Sequence, residues 1–130
     1  MRLRVTGLAL LFGLSVAPAA TALDWPTKSE RIERGLSSPD PATRRISARE
    51  LSTLGGGRAA PLILKAMGDP DLDVRLAAAQ SAIRLRTAGA TELVIPWLGD
   101  REVRLRVSAC EVAHAMPNAK AVEAVARAMG

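Results

Sequence analysis

One eleven-residue pattern occurs three times at a fixed interval, and that interval constrains the fold more than any single residue does. The copies stand at 38–48, 69–79 and 100–110, each displaced by 31 residues from the last with no gap. An arginine recurs at 44, 75 and 106, and an acid precedes it by four residues each time (Asp40, Asp71 and Glu102). An apolar residue closes each run (Leu54, Leu85 and Met116), while the element before it ends on Leu36, Met67, Leu98 or Met129. Units of this length in series make a solenoid, in which one supersecondary unit buries its apolar side only against its neighbours.

Each unit reads as two helices. The second begins at a Ser/Asp-Pro signal (Ser38-Pro39, Asp69-Pro70), where a side-chain oxygen caps free amides and proline suits the first turn. In the third unit Arg101 takes the proline's place. Val74, Ala77, Ala78, Ser81, Ala82 and Leu85 follow the +3/+4 spacing of one helix face in the middle unit. Thr43, Ile46, Ser47, Glu50, Leu51 and Leu54 hold those places in the first unit, and Leu105, Ser108, Ala109, Val112, Ala113 and Met116 in the third. Each acid is expected to pair with the arginine four residues on, worth ~0.2–0.5 kcal/mol where exposed. Long second helices are expected over 71–86 and 102–116. Shorter first helices are expected over 30–36, 59–67 and 90–98, the last bent or shortened by Pro96, with Trp97 beside it half-exposed and read as a packing residue rather than a binding anchor. A final helix over 119–129, capped by Asn118, carries an apolar stripe of Val122, Val125, Ala126 and Met129, with Lys120, Glu123 and Arg127 facing outward. The fold class is therefore all-α: an α-solenoid of stacked antiparallel helix pairs, about three and a half repeats long.

Composition removes several functions. Phe12, Trp25 and Trp97 are the only aromatic residues, so the core is aliphatic and alanine-rich. The formal charge of +5 falls by two once Arg2 and Arg4 are set aside with a leader. No basic stripe with stacking aromatics remains for nucleic acid. Cys110 and His114 share a helix face, but two ligands do not hold zinc and no third group orients them for catalysis. The carboxylates at 40, 69, 71, 73, 100 and 102 sit at helix starts, where capping explains them. The run Gly55-Gly56-Gly57-Arg58 lacks the Gly-Lys-Ser/Thr ending of a phosphate loop and reads as a flexible turn. No catalytic residue, cofactor or metal is expected.

The order D-P-D-x-x-V-R-x-A-A-A at 69–79, followed by a second apolar helix, resembles the HEAT repeat family over residues 28–130. The short period is most similar to the HEAT-like repeats of phycobilisome lyase subunits. The resemblance implies a solenoid that binds proteins, and it carries over no catalytic residue. In that family the second helices line the concave side. The positions varying between units there set out a partner-binding surface of Leu76, Gln80, Ile83, Arg84, Val107, Glu111 and His114. Leu76, Ile83 and Val107 form its apolar strip. The expected function is a non-catalytic scaffold or adaptor that binds an unidentified protein. The alternatives are a lyase-type subunit handling a tetrapyrrole, and a fragment of a longer HEAT-repeat protein.

Residues 1–22 read as a signal peptide: Arg2 and Arg4, an apolar run over 8–16, then Ala20-Thr21-Ala22 as a cleavage site. The run is too short to anchor the chain in a bilayer of ~30 Å. Residues 23–29 read as a linker in which Trp25-Pro26 packs over the first unit, and 30–130 as the solenoid domain. The chain is thus expected to be periplasmic or secreted, and protein recovered from that compartment should begin near Leu23 when its N-terminus is sequenced.

Overall fold

The computed structural model describes residues 26–130. The signal peptide expected over 1–22, Trp25 and the first part of the linker lie outside the described residues. Within them the order is α1 (Lys28–Leu36), α2 (Pro41–Glu50), α3 (Gly56–Ala66), α4 (Leu72–Leu85), α5 (Ala90–Val94), α6 (Val103–Ala115) and α7 (Ala119–Met129). A 3-10 turn, Leu51–Thr53, follows α2, and a longer one, Ile95–Gly99, continues α5. No strand occurs among the described residues, and none of their helices is long and apolar enough to cross a membrane.

Two layers result. The second helices α2, α4 and α6 stack side by side, and each packs on the first helix of its own unit. α1 meets α3, and α7 lies against α5 and its 3-10 extension as the first half of a fourth unit. Ile32, Leu51, Ile63, Val74, Val94, Leu105 and Val112 are fully buried between the layers, among alanines at 48, 59, 78, 79, 82, 90 and 109. Small side chains at these contacts let helix axes approach to ~8 Å. Gly35 shows how closely: a Cβ there would collide with Ser47 Oγ on α2.

The helix starts differ from expectation in one respect. Asp40, Asp71 and Glu102 are the N-caps, two residues beyond the residues expected to cap. The residues at 38, 69 and 100 instead brace the turn before the helix. Ser38 Oγ accepts from the Asp40 amide at 3.2 Å, and Asp69 and Asp100 accept likewise from Asp71 and Glu102 at 2.8 Å. Arg101 leaves this brace intact because position 101 belongs to the turn and not to the helix.

α1 begins at Lys28, because Thr27 and Glu30 form a reciprocal capping box that draws the helix into the expected linker. Gly56 and Gly57 form the first turn of α3 and not a loop, with Gly55 as N-cap. Pro96 shortens α5, as expected, and the chain continues beyond Val94 in 3-10 geometry. Trp97 is buried and not half-exposed, since that tighter winding turns its ring into the core. α4 ends on Arg86, a non-glycine residue in the left-handed region (φ 48°), whose guanidinium donates to Ala115 O of the next unit at 2.8 Å.

The largest correction concerns α7. Ala121 and Ala124 make its buried face, while Val122 and Met129 of the expected stripe are 60% and 84% exposed. The helix carries two apolar faces, and the smaller one permits the closer approach to the array. Ile46 at the opposite end is likewise exposed, at 59%, because no unit stacks against that side of α2 among the described residues.

These contacts give one substitution opposite signs at two glycines. Gly57→Ala, with nothing within 4 Å of a new Cβ, should stabilise the fold by about 0.5–1 kcal/mol in urea melts. Gly35→Ala should destabilise it by roughly 1–3 kcal/mol through overpacking against Ser47.

Candidate functional site

The outer surface of the second-helix layer is held in register by charge. Asp71 caps α4 by accepting from the amides of Asp73 and Val74, and the same carboxylate receives a two-pronged bond from Arg45 of α2 at 2.9 and 2.6 Å. Asp73 stands between two units, 3.6 Å from Arg45 Nε and 3.3 Å from Arg104 Nη1. Arg104 also holds Glu102 at 3.1 Å. A separate pair, Arg44 with Asp69 at 2.9 and 3.2 Å, ties the first unit to the turn of the second.

The expected pairing of each arginine with the acid four residues before it is absent. Arg44 reaches forward to Asp69 and back to the carbonyls of Ser38 and Pro39, and Arg106 makes the same return to Asp100 and Arg101. Arg44 and Arg106 find their acceptors in the turn before their own helix, and Arg44 also in the neighbouring unit, while the capping acids Asp71 and Glu102 pair with Arg45 and Arg104. Arg75 is half-buried in the middle unit, and its Nε has no hydrogen-bond partner among the described residues.

The Arg45 guanidinium, helped by the amides of Val74 and Asp73, holds the Asp71 carboxyl far below the ordinary carboxylate range and is itself raised in return. Asp40 is lowered by the hydroxyl and amide of Thr43, and Glu102 by the amide and then the guanidinium of Arg104.

Between α4 and α6 this ladder borders a shallow cleft of about 250 Å³. Leu76, Val103 and Val107 supply its apolar surface, and Gln80, Arg104, Ser108 and Glu111 its polar edge. The structure thus brings together four of the seven residues singled out in the sequence: Leu76, Gln80, Val107 and Glu111. Gln80 also joins Arg84, Arg49, Ala77 and Ser81 in a smaller neighbouring hollow of about 140 Å³ between α2 and α4. Ile83, half-buried against the core, does not line this cleft. His114 lies apart, with Cys110, in a groove on the α6–α7 side.

Val103, Arg104 and Ser108 were not foreseen. A signal for Arg104 was present: Asp73 and Arg104 occupy the same repeat position, and equal positions meet on adjacent stacked helices. Opposite charges there announce a bond between units. Among the described residues no group of three or more His, Cys, Asp or Glu side chains is placed to hold a metal ion. The arrangement presents contact surface, with an apolar floor and a charged rim suited to a polypeptide segment.

A family model described as HEAT repeats matches residues 29–115, from α1 to the end of α6. No curated protein matches the chain.

The depressed carboxyls favour the folded chain only while they are ionised. Their contribution is complete above the ordinary carboxyl value, 3.8 for Asp71, and declines as pH falls through that value toward the folded one. Thermal melts should hold steady from neutral pH down to about 4 and drop below it. Asp71→Asn should melt lower at neutral pH and lose less on further acidification.

Proposed function

The chain belongs to the HEAT repeat family, whose members generally act as protein-interaction scaffolds, and from that premise we propose that it is an exported, non-catalytic adaptor that captures a segment of a partner protein between α4 and α6. The observation that carries this reading is the α4–α6 cleft. Leu76, Val103 and Val107 give it an apolar floor, and Gln80, Arg104 and Glu111 give it a rim able to orient a bound backbone. Val103 and Val107 are 57% and 52% exposed, so the floor is open to a partner without any rearrangement of the core. Stacked helices contribute the residues from two different units, which makes the surface a product of the array and not of any single hairpin.

Export rests on the leader-like character of residues 1–22 and places the partner in the periplasm or outside the cell. The partner segment is expected to present aliphatic side chains to the floor, flanked by a basic group toward Glu111 and an acidic group toward Arg104.

Gln80 and Glu111 are both exposed, so changing them leaves the core untouched. Gln80→Arg combined with Glu111→Arg should alter stability by no more than about 0.5 kcal/mol. Immobilised wild-type chain should enrich one protein from envelope extract, and the double variant should lose it at unchanged melting temperature. Equal enrichment by wild type and variant would remove the cleft from consideration.

A further inference from the structure

We propose that the α6–α7 face is the contact of a symmetric dimer, on which a second copy of this chain supplies the covering helices. A groove of about 630 Å³ runs along this face between Cys110 and His114 of α6 and Val122, Val125, Ala126 and Met129 of α7. Its wall is apolar, and the repeat explains why. Cys110 occupies the position of Ala48 and Ala79, both fully buried, and Val125 that of Ile63 and Val94, which are 0% and 1% exposed. Met129 is 84% exposed, whereas Met67, at the same repeat position, is 2% exposed. The face is therefore the interface between units, repeated once more in residue type but not covered among the described residues.

The spacing of the residues along these two helices selects a second copy as the occupant. On α6 the stripe is Val103, Val107, Cys110 and His114; on α7 it is Val122, Val125, Ala126 and Met129. Each stripe reads the same in both directions. The midpoint of the first lies between Ser108 and Ala109, and that of the second between Val125 and Ala126. The two midpoints are equally far along the chain from Pro117, so they stand at one height in the hairpin.

A twofold axis through that height lays each helix antiparallel on its own copy. Val107 then meets the partner's Cys110, and Val122 meets the partner's Met129. Glu123 falls beside the partner's Arg127, and Arg127 beside the partner's Glu123, so the charge complementarity is reciprocal. An isologous contact requires a patch that matches itself in this way. Helices within each unit already run antiparallel, and small side chains such as Ala126 permit separations of ~8–10 Å.

The test uses the purified full chain, its mass in solution and its single cysteine, Cys110, which is exposed in the isolated fold. Sedimentation should give the mass of two chains, and maleimide labelling of Cys110 should slow as concentration rises. Val122→Glu with Met129→Glu should weaken association by about tenfold or more, which corresponds to about 1.4 kcal/mol, and should restore fast labelling. Glu123→Arg should weaken it too, and adding Arg127→Glu should recover it. Circular dichroism checks that each variant keeps its helices.

A single-chain mass at every concentration with fast labelling overturns the proposal. So does a single-chain mass with Cys110 protected, which would assign the face to another segment of the chain. A dimer indifferent to these substitutions would also overturn it, by placing the interface elsewhere. Val103 and Val107 belong to both surfaces, but none of the substituted residues lines the α4–α6 cleft, so partner capture by the single-chain variants tests the cleft apart from self-association.

Discussion

The contact between consecutive second helices is the condition for everything else in this molecule. α2, α4 and α6 touch through alanine and serine more than through large side chains, with Ala48, Ala78, Ala79, Ala82 and Ala109 all fully buried. Such residues contribute little apolar area each, so stability has to come from shape: backbones brought close, with Ile63, Val74, Leu105 and Val112 filling the space between layers. A single hairpin has no partner for its small-residue face and cannot offset the entropy of ordering its chain. The array is the smallest unit that makes sense energetically, which is why its surfaces are composites of neighbouring units.

Charge then fixes what packing leaves loose. Small-residue faces slide easily, since one alanine resembles the next. The ladder from Arg45 through Asp71 and Asp73 to Arg104 connects three second helices in their N-terminal halves. Pairs as exposed as Arg104 with Asp73 are worth little individually, ~0.2–1 kcal/mol. Arg44 with Asp69 is different: it is two-pronged, its side chains are only 14% and 11% exposed, and the guanidinium also satisfies two turn carbonyls. Together these bonds select one register among several that packing alone would tolerate.

Much of this was legible in the chain before any coordinates. The 31-residue interval determined the unit, and Pro96 and Asn118 marked their own boundaries. What escaped notice did so for identifiable reasons. The arginines can reach along their own helix or across to the next, and the spacing in the chain fits both. In α7, alanines at 121 and 124 and larger residues at 122, 125 and 129 both follow helical spacing, and periodicity does not say which face turns inward. The seven surface residues were chosen as equivalent positions on stacked helices. Four of them do share a cleft, but Ile83 is half-buried against the core and His114 faces the groove between α6 and α7.

Arg86 shows what a joint between units involves. A side chain other than glycine in left-handed backbone is disfavoured by roughly 1–2 kcal/mol, and here it is held by a bond to Ala115 O, in the unit beyond. The end of the second unit is thus closed by its own backbone, with the amides of Arg86 and Thr87 on Ile83 O and Ala82 O, and tied to the third, which receives its guanidinium. Periodic sequence suggests interchangeable bricks, yet this seam is bespoke: hairpins spliced in from elsewhere would inherit the kink without its anchor, and lengthening or shortening the array would mean rewriting its joints as well as its blocks.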